Sequence, residues 1–144
     1  MSLFDRLQGA KNERIQKEKE EGLAFMEENK KRERVVELPN GIQYEILKEG
    51  NGPKPQPSAT IKAHYRGALL NGKEFDSSFK RNQPFTAGLR QLIKGWQDVL
   101  PMMPVGSTWR LWIPSHLAYG DNGTGGIPPG ATLLFDIELL EIIS

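Results

Sequence analysis

The pattern of hydrophobic and polar positions changes near residue 35. Before that point the chain is mostly charged, and acidic residues precede basic ones at the i, i+4 spacing that stabilises a helix. The pairs with this spacing are Glu13/Lys17, Glu27/Lys31 and Glu28/Arg32. Residues 4–34 are therefore predicted to form one helix with a mostly solvated surface.

Apolar residues are too sparse in this predicted helix for a coiled-coil seam, which needs about two in every seven. They are Leu3, Phe4, Leu7, Ile15, Leu23, Phe25 and Met26. Because a lone helix is marginal in water, at least one end is expected to dock on other structure. Two interpretations stay open: a charged extension with one anchored end, or an arm that forms a dimer.

From Val35 onward the pattern is typical of strands. Asn40-Gly41 is a strong hairpin signal between two apolar runs. In the next run Ile61, Ala63 and Tyr65 alternate with polar residues, so these three are expected to face inward. The predicted strands are 35–38, 42–47, 59–70, 73–77, 107–113 and 132–143.

One amphipathic helix is predicted over residues 89–100, where apolar side chains recur at helical spacing and Pro101 ends the run. A loop rich in glycine and proline, residues 120–130, separates the last two strands. The result is an α+β fold, with about five mainly antiparallel strands around one short helix. We expect residues 1–34 to be a helical extension and residues 35–144 to be the domain.

Composition excludes several classes of function. Residues 1–34 hold 9 basic and 8 acidic side chains and residues 35–144 hold 10 of each, so no basic patch points to nucleic acid. The absence of cysteine excludes disulfides and thiol catalysis. No apolar run is long enough for a leader or a membrane span, which predicts a cytoplasmic protein, or a periplasmic one if a leader has been removed.

Motifs for metal and phosphate chemistry fail on inspection. Asp121-Asn122-Gly123 begins like a calcium loop, but later ligand positions hold Gly and Thr132. No phosphate-binding glycine motif is present. His64 is expected to point outward from a strand and His116 to lie in a turn, so neither is assigned a catalytic role. We expect no metal and no cofactor.

The positive signals are five blocks in a fixed order. They are Ala63-His64-Tyr65-Arg66-Gly67, Phe75-Asp76-Ser77-Ser78 with Arg81 and Phe85, Leu92-Ile93-Lys94-Gly95-Trp96, Leu117-Ala118-Tyr119-Gly120, and Ile127-Pro128-Pro129-Gly130 running on to Phe135. In order and spacing, residues from about 42 to 142 resemble the FKBP family of peptidyl-prolyl cis/trans isomerases. The upstream residues Gly22-Leu23-Ala24-Phe25-Met26 and Leu38-Pro39-Asn40-Gly41 resemble the bacterial Mip-like subgroup, which carries an N-terminal helical arm.

The resemblance implies a role for each matched residue. Trp96 matches the floor of the proline pocket, Asp76 the acid beside the twisting carbonyl, and Tyr119 the phenol that binds a substrate carbonyl. With Tyr65, these are the expected catalytic residues. The expected substrate-binding residues are Phe75, Phe85, Leu92, Ile93, Ile127, Phe135 and Arg81. Ile93 matches a position whose backbone N–H binds ligand, and Arg81 is expected to pair with Asp76.

The implied activity is peptidyl-prolyl isomerisation of unfolded or flexible proline-containing chains. Rotation about an X–Pro bond needs no nucleophile and no metal, which agrees with the lack of both in this chain. Macrolide inhibitors are a further implied ligand. Two alternatives stay open: a module that binds proline peptides without catalysis, and a chaperone whose helical arm forms a dimer.

Overall fold

The computed structural model describes residues 2–144. A long helix, α1, spans Leu3–Asn29 and begins with a capping box in which Ser2 Oγ accepts from Asp5 N–H at 3.1 Å. The ion pairs at its C-terminal end lie at i, i+3, not at the predicted i, i+4: Glu27 pairs with Lys30 and Glu28 with Lys31. No helix within residues 2–144 has the length and apolarity to cross a lipid bilayer.

The C-terminal end of α1 is anchored to the domain, and the helix ends five residues before the predicted position 34. Met26 and Asn29 are buried there. The chain then turns, and Arg32 reaches the sheet, where it lies 2.9 Å from Glu45 and 5.7 Å from the ring centre of Trp112. These contacts favour a turn after Asn29 over further solvated helix.

Within residues 2–144, seven strands form one antiparallel sheet in the order β1-β2-β6-β7-β3-β4, with β5 also paired to β3. The strands are β1 Val36–Glu37, β2 Gln43–Lys48, β3 Thr60–Leu69, β4 Glu74–Ser77, β5 Phe85–Gly88, β6 Thr108–Ile113 and β7 Leu133–Ile142. The short helices are α2 Ser78–Arg81 and α3 Lys94–Val99. The predicted α+β fold is confirmed, and the six predicted strand segments are matched to within two residues at each end. The sheet has seven strands, whereas about five were expected.

The structure adds one strand to the predicted set and confirms the inward face of β3. Ile61, Ala63 and Tyr65 are buried, as the alternation predicts. The added strand, β5, pairs with residues 60–63 of β3. It has only four residues and follows Pro84, which leaves too little sequence for a periodic signal.

The prediction of a continuous helix over 89–100 is wrong. Only α3 is α-helical, and 3₁₀ turns precede and follow it at Leu89–Gln91 and Leu100–Met102. Between the first turn and α3, Leu92 and Ile93 have extended backbones with ψ of 167° and 153°. Because Leu89, Trp96 and Val99 still point into the core, the apolar spacing resembles that of one unbroken helix.

A row of alternating charges crosses the outer face of the sheet. Asp136 on β7 accepts two hydrogen bonds from Arg110 on β6, at 2.7 and 3.0 Å, and lies 3.9 Å from Arg66 on β3. Arg66 also binds Glu74 on β4 at 2.7 Å. We call this the charged row; it consists of Arg32, Glu45, Arg110, Asp136, Arg66, Glu74 and Lys80.

Gln43 joins α1 to the sheet in the buried interior. Its Nε2 donates to the carbonyl of Met26 and to Glu37 Oε2, and its Oε1 accepts from Asn29 Nδ2, each at 2.9 Å. Gln43 is fully buried, so its loss leaves a cavity and several unsatisfied polar groups. Gln43 therefore ties the C-terminal end of α1 to β2 through two buried hydrogen bonds.

We expect Gln43→Ala to lower the free energy of unfolding by about 2–4 kcal/mol, the sum of a small cavity and buried groups without partners. Urea denaturation followed by circular dichroism measures this change. Gln8→Ala, on the exposed part of α1, is the matched control and should have little effect. Equal midpoints for the two variants would contradict this role of Gln43.

Candidate active site

A cleft of about 280 Å³ opens between β3, β4, β5 and the start of α3. Trp96 lies at its base, 4% exposed. Three aromatic rings contact the indole edge to face: Tyr65 at 5.3 Å, Phe135 at 5.4 Å and Phe85 at 6.3 Å between ring centres. The lining residues are Tyr65, Phe75, Asp76, Phe85, Gln91, Leu92, Ile93, Trp96, Tyr119 and Phe135.

One carboxylate lies in this aromatic wall and is held by two donors. Asp76 accepts short hydrogen bonds from the Tyr65 hydroxyl and from Arg81 Nη1. Arg81 Nη2 also donates to the Tyr65 hydroxyl at 3.2 Å, and its guanidinium lies 5.7 Å from the Tyr65 ring centre. The predicted pairing of Arg81 with Asp76 is confirmed. The three side chains form one unit, in which each group fixes the direction of the other two.

This unit changes the acidity of its members in opposite directions. Burial alone would raise the pKa of Asp76, but the hydrogen bonds from Tyr65 and Arg81 and the positive charge of Arg81 outweigh it, and the pKa is lowered. Burial, with the hydrogen bond to Asp76, raises the pKa of Tyr65. The site therefore holds an ionised carboxylate beside a protonated phenol at neutral pH.

Two hydrogen-bond donors at the cleft have no partner among residues 2–144. The Tyr119 hydroxyl makes no hydrogen bond there, and the residue is 38% exposed. The backbone N–H of Ile93, which immediately precedes α3, is likewise unpaired. A peptide in the cleft can use both donors for its carbonyl oxygens without breaking an existing bond.

Other polar side chains position the cleft, and the sequence analysis did not assign them. Ser78, in α2, accepts from the Tyr65 N–H at 2.7 Å and donates to the Tyr65 carbonyl at 3.3 Å. His64 Nδ1 lies 2.8 Å from the same hydroxyl, and its ring stacks on Phe79 at 4.6 Å. These contacts hold the turn that follows Asp76 against β3.

The opposite wall is positioned in a similar way. Gln97 on α3 donates to the carbonyl of Leu92 at 2.7 Å, which ties the extended segment before α3 to the helix. Gln91 lines the cleft beside this segment. No local pattern distinguishes these two glutamines from solvated ones, because their role depends on the break in the predicted helix.

The structure places two of the predicted substrate-binding residues outside the cleft wall. Ile127 is 5% exposed and belongs to the hydrophobic core, and it is not among the residues that line the cleft. Arg81 stands behind Asp76 and is not part of the lining. The other predicted residues, catalytic and binding, all line the cleft.

Two further observations separate this cleft from other surfaces. A larger groove of about 550 Å³ lies between α1 and Pro128-Pro129, but mainly charged helix residues line it and no aromatic ring is present. Within residues 2–144 no three potential metal ligands lie together. Of these two sites, only the cleft at Trp96 offers aromatic walls for an apolar ring.

Comparison with known proteins gives an independent result. A family model described as FKBP-type peptidyl-prolyl cis-trans isomerase matches residues 52–140, and one described as the domain amino terminal to it matches residues 1–46. The FKBP-type 22 kDa peptidyl-prolyl cis-trans isomerase of Escherichia coli (strain K12) is 40% identical over 142 residues, which cover 98% of this chain and 69% of the relative.

Two more matches agree with this result. Peptidyl-prolyl cis-trans isomerase Mip of Coxiella burnetii is 41% identical over 124 residues, 85% of this chain and 54% of the relative. The crystal structure of FkpA from Escherichia coli has a TM-score of 0.90 at 36% identity and covers 94% of this chain and 63% of that one. This chain therefore spans between about half and two thirds of the length of these relatives.

The fold, the cleft and the family models together define the class of protein. The chain belongs to the family of FKBP-type peptidyl-prolyl cis-trans isomerases. Within that family it is similar to the bacterial members Mip and FkpA, and the match over residues 1–46 covers the segment that holds α1. The resemblance drawn from the five sequence blocks is thus confirmed.

Proposed function

We propose that this chain catalyses cis/trans isomerisation of X–Pro bonds in unfolded or flexible polypeptides. The observation that carries the proposal is a solvent-open aromatic cleft, with Trp96 at its base and the Asp76 unit in its wall. Such a cleft binds a proline ring in an apolar environment and surrounds the adjacent carbonyl with polar groups. Asp76, Tyr65, Tyr119 and Trp96 are the proposed catalytic residues.

The mechanism follows from the origin of the barrier. Amide resonance keeps the bond planar, and rotation costs roughly 18–20 kcal/mol. Water solvates the polar carbonyl of the planar form, so transfer to a dry aromatic cleft weakens that stabilisation. Binding that fits the twisted form better than the planar form lowers the barrier further. An acceleration of ten-thousandfold needs only about 5–6 kcal/mol.

Each polar group has a place in this mechanism. The unpaired Tyr119 hydroxyl donates to a carbonyl of the bound peptide. The Ile93 N–H donates to a carbonyl in the adjacent part of the same peptide. The ionised Asp76 supplies a fixed negative charge. As the bond rotates, the carbon atom of the carbonyl group faces this charge. No proton leaves the protein, so the step needs no general base.

The decisive experiment measures the isomerisation rate of a short X–Pro peptide by NMR exchange, which needs no coupling protease. We expect the rate to rise in proportion to enzyme concentration. A module that only binds proline peptides would shift the peptide resonances without raising the rate. That outcome would contradict the proposed catalysis and favour the alternative, a module that binds proline peptides without catalysing their isomerisation.

We expect kcat/KM to be independent of pH from about pH 5 to about pH 9. The lowered pKa of Asp76 keeps its carboxylate ionised until the pH falls through that lowered value. The raised pKa of Tyr65 keeps its phenol protonated until the pH rises through the raised value. The NMR exchange assay in a series of buffers measures this profile, and an inflection inside the window would contradict it.

The apolar walls also support binding of macrolide inhibitors, which would compete with the peptide for the same aromatic rings. Titration of the protein with such a compound, followed by the isomerase assay, tests this part of the proposal. Loss of activity at one equivalent supports it. Unchanged activity at a large excess contradicts it.

A homodimer through α1 is the proposed assembly, with residues 1–34 acting as a helical extension of a domain formed by 35–144. Leu3, Phe4 and Leu7 lie on α1, far from its anchored end, and are 71%, 73% and 61% exposed. Sedimentation of the full chain against a variant with these three residues changed to serine tests it. Identical monomer masses would contradict the dimer. A cytoplasmic location stays a prediction, for cell fractionation to test.

A further inference from the structure

Helix α1 contacts the loop between Tyr119 and Thr132, as well as the sheet. The loop begins at a cleft residue, since Tyr119 lines the wall, and it returns to β7 near Thr132. The contacts occur at three places along α1, centred on Ile15, Lys19 and Gly22. They lie one helical turn apart, so they share one face of the helix.

The closest of the three contacts requires glycine. A Cβ atom on Gly22 would lie 2.2 Å from Thr132 Oγ1 and 3.1 Å from Thr132 Cβ. Real Cβ atoms do not approach other atoms so closely, so a side chain here forces the Thr132 side chain, at the end of the loop, or α1 itself to move. Gly9, on the same helix, is different, because a Cβ there would meet nothing within 4 Å.

The second contact brings the loop backbone against the helix backbone. Gly130 has a φ of 81°, and its missing Cβ would lie 2.9 Å from the carbonyl oxygen of Ile15. At the third contact Lys19 Nζ lies 2.7 Å from Asp121 Oδ1. The helix thus touches both arms of the loop, near residue 121 and near residue 130.

Hydrogen bonds inside the loop connect these contacts to the cleft. Gly130 N–H donates to the Gly120 carbonyl at 2.8 Å, which closes the base of the loop. Gly123 N–H donates to the Tyr119 carbonyl at 3.1 Å, and Gly120 N–H donates to the backbone carbonyl of Ser115 at 2.8 Å. A displacement of Gly130 is therefore transmitted through Gly120 to the backbone of Tyr119.

The far end of the loop approaches a second wall residue. A Cβ on Gly126 would lie 3.7 Å from Phe75 Cβ, and the neighbouring Ile127 is buried in the core. The loop is therefore held at its tip by the domain and at its base by α1. The Tyr119 hydroxyl has no hydrogen bond of its own within residues 2–144, so its position depends on the backbone beneath it.

We propose that α1 is a positioning element of the isomerase site, with Gly22 and Lys19 as positioning residues that act through the loop on Tyr119. The proposal rests on the proposed function, because it assigns Tyr119 a contact with the peptide. Neither residue touches the cleft. Their effect is to keep the unpaired Tyr119 hydroxyl directed at the position of the substrate carbonyl.

The experiment is a double-mutant cycle on the full chain. We expect Gly22→Ala to lower kcat/KM about three- to tenfold, and Gly9→Ala, the matched control, to leave it unchanged. In a Tyr119→Phe background, which lacks the hydroxyl, Gly22→Ala should lower kcat/KM by much less. A merely structural effect would lower it by the same factor in both backgrounds and would overturn the proposal.

Hydrogen exchange gives a second reading that does not depend on activity. In Gly22→Ala the amides of Gly130 and Gly123 should exchange faster, while those of β3 and β7 stay protected. Lys19→Ala should produce the same change more weakly, and Lys19→Arg should restore protection. Unchanged exchange in both Gly22→Ala and Lys19→Ala would contradict the proposal.

The same measurements distinguish failure of the positioning role of α1 from failure of the proposed isomerase function. If the wild-type chain does not accelerate isomerisation, the proposed function fails regardless of α1. If the wild type is active and Tyr119→Phe alone costs nothing, the role of Tyr119 fails and with it the proposal. An active wild type, a weakened Tyr119→Phe and an unaffected Gly22→Ala overturn the positioning role of α1 alone.

Discussion

Asp76→Ala is expected to lower kcat/KM for X–Pro isomerisation by about ten- to a hundredfold while the protein stays folded. The change removes a carboxylate that accepts from both Tyr65 and Arg81. A hydrogen bond to a charged group is worth about 1.5–3 kcal/mol, and about 1.4 kcal/mol corresponds to a factor of ten. The Asp76 side chain is 38% exposed, so the vacated space fills with water and the core is not opened.

The measurement is the NMR exchange rate at matched concentrations of folded protein, with circular dichroism as the check on folding. Glu141→Ala removes an exposed carboxylate at the far end of β7 and is the matched control. Asp76→Asn separates shape from charge, because it keeps the volume of the side chain. Wild-type rates in a folded Asp76→Ala variant would refute the role assigned to this residue.

Trp96→Leu is expected to reduce kcat/KM by more than tenfold and also to destabilise the protein by about 2–4 kcal/mol. The indole forms the base of the cleft and makes three edge-to-face contacts with wall rings. Such aromatic pairs contribute about 0.5–1.5 kcal/mol each beyond the area they bury. Leucine keeps an apolar base but loses these contacts, so the walls are no longer held at their present angles.

Trp109→Leu is the control that separates activity from stability. Trp109 is also 4% exposed, and it stacks on Tyr44 at 4.5 Å, away from the cleft. Both variants should lose a similar free energy of unfolding in urea. Only Trp96→Leu should lose activity per folded molecule. Equal loss of activity in both would show that the effect of Trp96 is a general loss of stability.

The strands were predictable because their burial is periodic within each segment. In β3 the alternation of Ile61, Ala63 and Tyr65 with polar neighbours shows which face is buried, whatever pairs with the strand. The Asn40-Gly41 turn has a similar local basis, since Gly41 has a φ of 94° in the structure. For these elements the alternation of burial and the backbone conformation of the turn are set by a few neighbouring residues.

The break between Leu89–Gln91 and α3 could not be predicted in this way. Leu92 and Ile93 keep the apolar spacing of a helix, yet they are extended and line a cleft. Apolar periodicity shows which residues are removed from water. The wall of a cleft and the buried face of a helix can produce the same spacing, so the pattern does not distinguish between them. The fact that decides between them is tertiary, namely that Leu92 and Ile93 line a cleft formed with β3, β4 and β5, and the hydrogen bond from Gln97 to the Leu92 carbonyl holds the extended segment in place.

The candidate site was predicted through family resemblance, not through local pattern. Trp96, Phe135 and Phe75 look like ordinary core residues when each is taken alone, and only their order and spacing identify them. Side chains that act behind the wall had no such signal. Ser78 and His64 meet only because α2 folds against β3, and Lys19 meets Asp121 across about a hundred residues of sequence.

The charged row has a consequence for how a client chain meets the protein. Each carboxylate in the charged row lies between two cations. The attraction of one charge for an acidic or basic segment of a client is therefore largely cancelled by the repulsion of the neighbouring charge. We therefore expect an unfolded chain to bind this outer face more weakly than it binds the aromatic cleft.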